Sequence, residues 1–136
     1  MNIVDVPEKM QKFYGSGKML HPDVAMVEEL VRMIPNGKVV LIDSICEKLA
    51  TDHGTDVTCP MRTGGAVKKI IETYALEEDQ SIPFWRVIRK NHMLVNSSFT
   101  EICAANLRKE GFQVEEKAKG EFRVAGVEEM LFEFSE

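Results

Sequence analysis

Four stretches of helical spacing, a strand–turn–strand pattern between the third and fourth, and a second such pattern near the C-terminus predict the fold. It is an α+β domain, mainly helical, of winged helix-turn-helix architecture, with a hairpin wing and a C-terminal β-hairpin extension. The 136 residues suit a single domain at roughly 100–200 residues per domain. At 44% hydrophobic and 29% charged residues, the composition is that of a globular chain and not of a disordered one.

The elements follow in order. Residues 1–20 lack a clear period and contain Gly15, Ser16 and Gly17, so they read as an N-terminal arm with a short helical piece around Met10–Tyr14. From Asp23, Val24, Val27, Leu30, Val31 and Ile34 recur on one helix face, and Pro35-Asn36-Gly37 ends it. Val39-Val40 reads as a strand stub. A second short helix opens at Ile42-Asp43-Ser44-Ile45, with Asp43 or Ser44 as its cap and Ile45 and Leu49 inward. Thr51–Cys59 is polar and reads as a loop. Pro60 starts a third helix to about Ala75, with Val67, Ile70, Ile71 and Tyr74 on one side. Gly64 and Gly65 lie inside it at a cost of about 1 kcal/mol each against alanine, so the close approach of another backbone is expected there.

Leu76–Ser81 is an acidic connector. Phe84–Ile88 and Met93-Leu94-Val95 read as paired strands around Lys90-Asn91-His92. Asn96-Ser97-Ser98 precedes a fourth helix packed through Ile102, Ala105 and Leu107, with Ser98 and Glu101 as a capping box and Gly111 as its stop. Phe112–Glu115 and Glu121–Val124 form the terminal hairpin, and Val127–Phe134 has weak helical spacing. The expected division is therefore 1–20 arm, 21–112 winged-helix domain and 113–136 extension of it.

No apolar run approaches the roughly 18 residues of a membrane span. The start, MNIVDVPEKM, carries acids and Pro7 where a signal peptide would be basic and then apolar. The expectation is a cytoplasmic protein with no membrane partner. Cys46, Cys59 and Cys103, like His21, His53 and His92, are scattered, which argues against a disulfide framework and a thiolate zinc site. No metal and no cofactor is expected.

Net charge is −5, but its distribution is uneven. Residues 60–71 hold Arg62, Lys68 and Lys69 and no acid; residues 80–96 hold Arg86, Arg89 and Lys90 and no acid. From Glu110 onward, eight glutamates face Lys117, Lys119 and Arg123. A basic face on the third helix and the hairpin is what counterion release from duplex DNA rewards. A merely solvated face is the competing reading of the lysines.

Four pieces occur in one order: Ile34-Pro-x-Gly-Lys-Val39, Arg62-x-x-Gly65, Ile82-Pro-x-x-Arg-Val87 and Leu107-x-x-Glu-Gly111. Over roughly residues 20–112 the chain resembles the DNA-binding domain of the O6-alkylguanine-DNA alkyltransferases, and in particular their alkyltransferase-like branch. The resemblance implies a winged helix in the DNA minor groove, with Arg62 filling the gap left by an extruded guanine. It implies double-stranded DNA, alkylated or not, as partner. The DNA contacts expected are Arg62, Thr63, Gly64, Gly65, Lys68, Lys69, Arg86, Arg89 and Lys90; base-pocket positions are Ile42, Phe84, Trp85 and Glu110. Phe84 reads equally as a core residue of the hairpin strand, Trp85 more readily as one, and Glu110 as a helix-end carboxylate bonded to backbone or to Arg86.

The family's acceptor cysteine and its histidine fall at Phe84 and Trp85. Neither side chain attacks carbon or accepts a proton, whereas alkyl transfer requires a thiolate and a base to make one. The chain is therefore expected not to be an enzyme. Cys59 is the thiol expected nearest the DNA-facing side, without a neighbouring base. The family's flipping tyrosine falls at Ile42, its asparagine–proline before the active-site strand is absent, and Asn96-Ser-Ser98 replaces its glycine-rich lid. The expectation is a non-catalytic, alkyltransferase-like DNA-binding protein that recognises O6-alkylguanine by base flipping and signals repair. The alternative is a protein-interaction or regulatory module on the same scaffold, its partner a repair or regulatory protein.

Overall fold

The computed structural model describes residues 2–77 and 81–134. Residues 78–80 of the acidic connector lie outside the described residues. The chain begins with β1 (Ile3–Asp5), a 3-10 turn (Glu8–Met10), α1 (Gln11–Tyr14) and β2 (Lys18–Leu20). It continues through α2 (Val24–Val31), β3 (Val40–Leu41), α3 (Ile42–His53), β4 (Val57–Thr58) and α4 (Pro60–Tyr74). A 3-10 turn (Phe84–Arg86), β5 (Val87–Ile88), α5 (Thr100–Lys109), β6 (Gln113–Ala118) and β7 (Glu121–Ala125) complete it. No described helix is long and apolar enough to cross a membrane.

Among the described residues, helices α2 to α5 surround the main core, with three small sheets at its edges. The core is built from Val27, Leu30 and Val31 of α2, Ile45 and Leu49 of α3, Val67, Ile70 and Ile71 of α4, and Cys103, Ala104 and Leu107 of α5. Parallel β3 and β5 cross it, pairing Val40 with Val87 and Leu41 with Ile88. The antiparallel β6–β7 hairpin closes it with Phe122 and Val124.

The expected arm is packed onto the domain. β1 pairs antiparallel with β2, and β2 pairs in parallel with β4, Met19 opposite Val57 and Leu20 opposite Thr58. Val6, Met19 and Cys59 form a small second cluster beneath it. Thr51–Cys59 is accordingly no simple loop: α3 continues to His53, and Val57–Thr58 is the strand that receives the arm.

Other local expectations are corrected by long-range partners. β3 runs straight into α3, so the N-cap is Leu41 and not Asp43 or Ser44. Phe84–Arg86 is a 3-10 turn set by the bond from Arg86 N to Pro83 O at 3.0 Å, and only Val87–Ile88 is extended. The Ser98–Glu101 capping box does not form; α5 starts at Thr100 with Phe99 at its N-cap, one residue later, where the Ser97 amide donates to Thr100 Oγ1 and the Phe99 amide to Ser97 Oγ. Ala105 faces solvent, and Cys103 and Ala104 pack instead. Residues 127–134 are not helical, because Met130 and Phe132 bond the backbone of Val39, which would otherwise be buried with no partner (Val39 N to Met130 O 2.9 Å, Phe132 N to Val39 O 2.9 Å). Asp23 caps α2 through the Met26 amide, and Gly111, at φ +95°, ends α5 in the left-handed region that favours glycine.

Candidate nucleic-acid interface

Pro60 opens α4 where its missing N–H costs nothing. The inward side of the helix carries Thr63, Ala66, Val67, Ile70 and Ile71, all buried. Its outward side therefore presents Met61, Arg62, Gly65, Lys68 and Lys69 to solvent, with Gly64 half-buried between. A Cβ built on either glycine meets nothing within 4 Å. Among the described residues no backbone outside the helix approaches them, so the packing described supplies no reason for two glycines inside this helix.

The hairpin turn lies beside this helix. Arg89 N donates to Met93 O at 2.8 Å, closing a tight turn that leaves Arg89 and Lys90 exposed. Lys90 and Pro60 line one hollow of about 430 Å³, with Tyr14, α3 and β4 forming the other walls. Lys90 of the turn thus meets the start of α4 at one hollow, whose walls also carry Asp43, Glu47 and Asp56. The positive charge of Arg62 reaches His21: burial first, and Arg62 second, hold the His21 imidazole below its ordinary range.

Two of the expected DNA contacts turn inward. Thr63 is fully buried, and its hydroxyl donates to Cys59 O at 2.8 Å, one turn back along the helix. Arg86 donates to Ile34 O at 2.7 Å and pairs with Glu110 at 2.8 Å, leaving its side chain only 15% exposed. An arginine so engaged spends its guanidinium on the protein's own acceptors and is turned away from phosphate.

None of the four expected pocket residues lines the hollow beside Lys90. Phe84 is 1% exposed, and Trp85 packs edge-on against it at 5.0 Å between ring centroids. Trp85 Nε1 donates to Glu110 Oε2 at 2.5 Å. Pulling Phe84 from the core would forfeit about 1.5–3 kcal/mol of burial. Stacking a base returns about 1–3 kcal/mol, so the exchange yields no net gain. Ile42, half-buried, packs on the core from the first turn of α3.

Glu110 is the hub of this region. Burial pushes its carboxyl up, but Arg86, the Gly37 amide at 3.0 Å and the Trp85 indole together outweigh that and hold it below the ordinary carboxylate range. It is a structural anion joining the Pro35–Gly37 turn, the 84–86 turn and the end of α5.

The thiols are poorly placed for chemistry. Cys59 is buried beneath the arm and does not face outward. Burial pushes the Cys103 thiol up to about 12 and raises that of Cys46 as well. Among the described residues, no group of three or more His, Cys, Asp or Glu is placed to hold a metal ion. Sequence reasoning missed the hollow and its walls, including Tyr14, Cys46, Asp43 and Glu47. The only signal was Phe13-Tyr14 standing in a polar, lysine-containing arm.

No protein-family profile matches the chain, and no curated protein does. Two solved structures share its fold. It is similar to the crystal structure of S. pombe Atl1 in complex with damaged DNA containing O6-carboxymethylguanine, at 21% identity and a TM-score of 0.58, over 81% of this chain and 94% of that one. It is equally similar to S. pombe ATL in complex with DNA, at 20% identity and a TM-score of 0.59, with the same coverage.

Proposed function

We propose that the protein is a non-catalytic, alkyltransferase-like DNA-binding protein. In this reading α3 and α4 are the two helices of a winged helix-turn-helix and the Arg89–Met93 turn is its wing. α4 enters the minor groove, with Arg62 at the base stack and Lys68, Lys69, Arg89 and Lys90 on phosphates. The observation that carries the reading is the pair Gly64 and Gly65, which face open space on an exposed helix beside Arg62. Glycines there let a nucleic-acid backbone come close. The DNA complexes of the S. pombe proteins of the same fold support it. Phe84 and Trp85, standing at the positions of the nucleophile and its base, support a role without catalysis.

Recognition of O6-alkylguanine by extrusion is the finer form of this proposal, supported by the damaged-DNA complex of Atl1. It requires a receiving surface other than Phe84 and Trp85. The test is binding to matched duplexes with and without O6-methylguanine across a salt series. Phosphate contacts predict affinity that falls steeply with salt, with nonspecific dissociation constants of about 10⁻⁴–10⁻⁶ M at physiological salt. Equal binding of the two duplexes removes the lesion claim, and absent or salt-independent binding removes the DNA claim.

The burial of Phe84 and Trp85 favours a second reading, a protein-interaction or regulatory module on this scaffold. Arg62→Ala separates the two: it weakens DNA affinity under the first and leaves a partner complex intact under the second.

A further inference from the structure

Phe13 and Tyr14 are unused by the fold. α1, which carries them, buries no residue; Phe13 is 73% and Tyr14 40% exposed. A four-residue helix has no stability of its own. It is held in place from both ends, by β1 on one side and by β2 on the other. The pairing of β2 with β4 is completed by Cys59 N donating to Leu20 O at 2.9 Å, one residue before α4 begins. The arm is thereby pinned against the N-terminus of the helix that carries Arg62, and Met61 beside it is 74% exposed.

Tyr14 is one wall of the 430 Å³ hollow that also includes Pro60 and Lys90. The volume lies within the range of small-ligand pockets, about 300–1,000 Å³. Its chemistry is specific. Asp43, Glu47 and Asp56 stand among its walls and outnumber Lys90, so a free phosphate is disfavoured inside; the Asp56 carboxylate already accepts the Lys18 amide at 2.8 Å, which leaves Asp43 and Glu47 as the main acceptors. A nucleobase has what the hollow accepts: a flat face for the Tyr14 ring and N–H donors for the carboxylates. Lys90 remains for the phosphate of the same nucleotide. The neighbouring Phe13 ring, 6.3 Å from Tyr14 between centroids, extends the aromatic surface, and Lys12 lies over it at 5.8 Å.

We infer that this hollow receives an unstacked, amino-bearing nucleobase of the nucleic acid bound along α4, with Tyr14 as its stacking face. The inference rests on the DNA-binding reading above. It supplies the receiving surface that Phe84 and Trp85 do not provide, and it places that surface on a segment outside the stretch that resembles the alkyltransferases. The base is one extruded from a duplex, one orphaned opposite a lesion, or one in a single strand.

The test uses the full chain and three probes of one sequence: a paired duplex, the same duplex with an abasic site opposite one guanine, and the guanine-bearing single strand. The wild type is expected to bind the abasic duplex about tenfold more tightly than the paired one, as stacking of one base implies. Tyr14→Ala is expected to reduce that preference below about twofold, and Tyr14→Phe, which keeps the ring, to retain it. Arg62→Ala lowers affinity for both duplexes together. Equal binding of the paired and abasic duplexes by the wild type, or a preference that survives Tyr14→Ala, overturns the site while leaving DNA binding intact. Failure of the wild type to bind any probe overturns the DNA-binding reading and the site with it. Tight binding of the single strand alone assigns the hollow to single-stranded ends and overturns its part in extrusion.

Discussion

The guanidinium of Arg86 lies 2.8 Å from the carboxylate of Glu110, with side-chain exposures of 15% and 9%. The pair is shielded, and the remaining lone pairs of Glu110 are taken by the Gly37 amide and the Trp85 indole. Removing one member of such a pair strands the other. Glu110→Ala is expected to cost about 3–5 kcal/mol. For a chain of this size that is a fall in Tm of at least about 8 °C. A Tm within about 2 °C of wild type would show the pair to be dispensable.

The same carboxylate makes stability depend on pH. Its folded pKa lies below the ordinary 4.5, because Arg86, Gly37 and Trp85 outweigh the opposing effect of burial. Its contribution is therefore fully present above 4.5 and is lost as pH falls below that value through the folded pKa. Urea midpoints of wild type and Glu110→Gln are expected to differ by a constant amount from about pH 5.5 to 7 and to converge in acid. A gap that widens on acidification would contradict the assignment.

The attachment of the arm turns on Gly17. It sits at φ +124°, and a Cβ there would collide with the Asp56 carboxylate, which already accepts the Lys18 amide at 2.8 Å. Gly17→Ala is expected to destabilise by about 2 kcal/mol or more, from backbone strain and the lost Lys18–Asp56 bond. Limited proteolysis should then cut within residues 3–20 before the rest of the chain. An unchanged cleavage pattern would mean that the arm is held by other contacts.

These long-range ties explain which parts of the molecule were legible in the sequence. Helices α2 and α4 follow from the spacing of Val27, Leu30 and Val31 and of Val67, Ile70 and Ile71, because burial of one face writes a period into the chain. The end of α5 follows from Gly111, a local backbone requirement. The pairing of Met19 with Val57 has no such signal, since two short strands 38 residues apart carry too few positions to show alternation. The contact of Glu110 with Arg86 and with backbone is legible, because a carboxylate at a helix end needs donors; what the sequence hides is that the same contact draws Arg86 away from phosphate and takes in the Trp85 indole, more than twenty residues back. Thr63 was misread for a simpler reason: its helical position, three before Ala66 and four before Val67, puts it on the core face.

The closeness of His21 to Arg62 offers a reporter on the interface. Burial and then the Arg62 charge lower the His21 pKa, so the neutral imidazole is the folded form. The associated stability is present above the unfolded value of 6.5 and is lost as pH falls through the folded pKa. In an NMR titration, Arg62→Ala should move the His21 pKa upward but short of 6.5, since the burial contribution remains. A bound phosphate at Arg62 should move it in the same direction in the wild type. No movement in the variant would break the link between the two residues.

Gly64 and Gly65 set stability against binding. Both lie inside α4 with open space where a Cβ would go, so alanine at either position is expected to stabilise the free protein by about 0.4–1 kcal/mol. The same methyl group would stand between α4 and a backbone docked on it. If a nucleic acid approaches that face, the overpacking costs about 1–3 kcal/mol of affinity. Gly64→Ala and Gly65→Ala are therefore expected to raise Tm while weakening duplex binding, a combination that loss of structure cannot produce. Variants that gain stability and keep full affinity would place the DNA contact elsewhere on the molecule, and variants that lose stability would mean that the two glycines serve the helix after all.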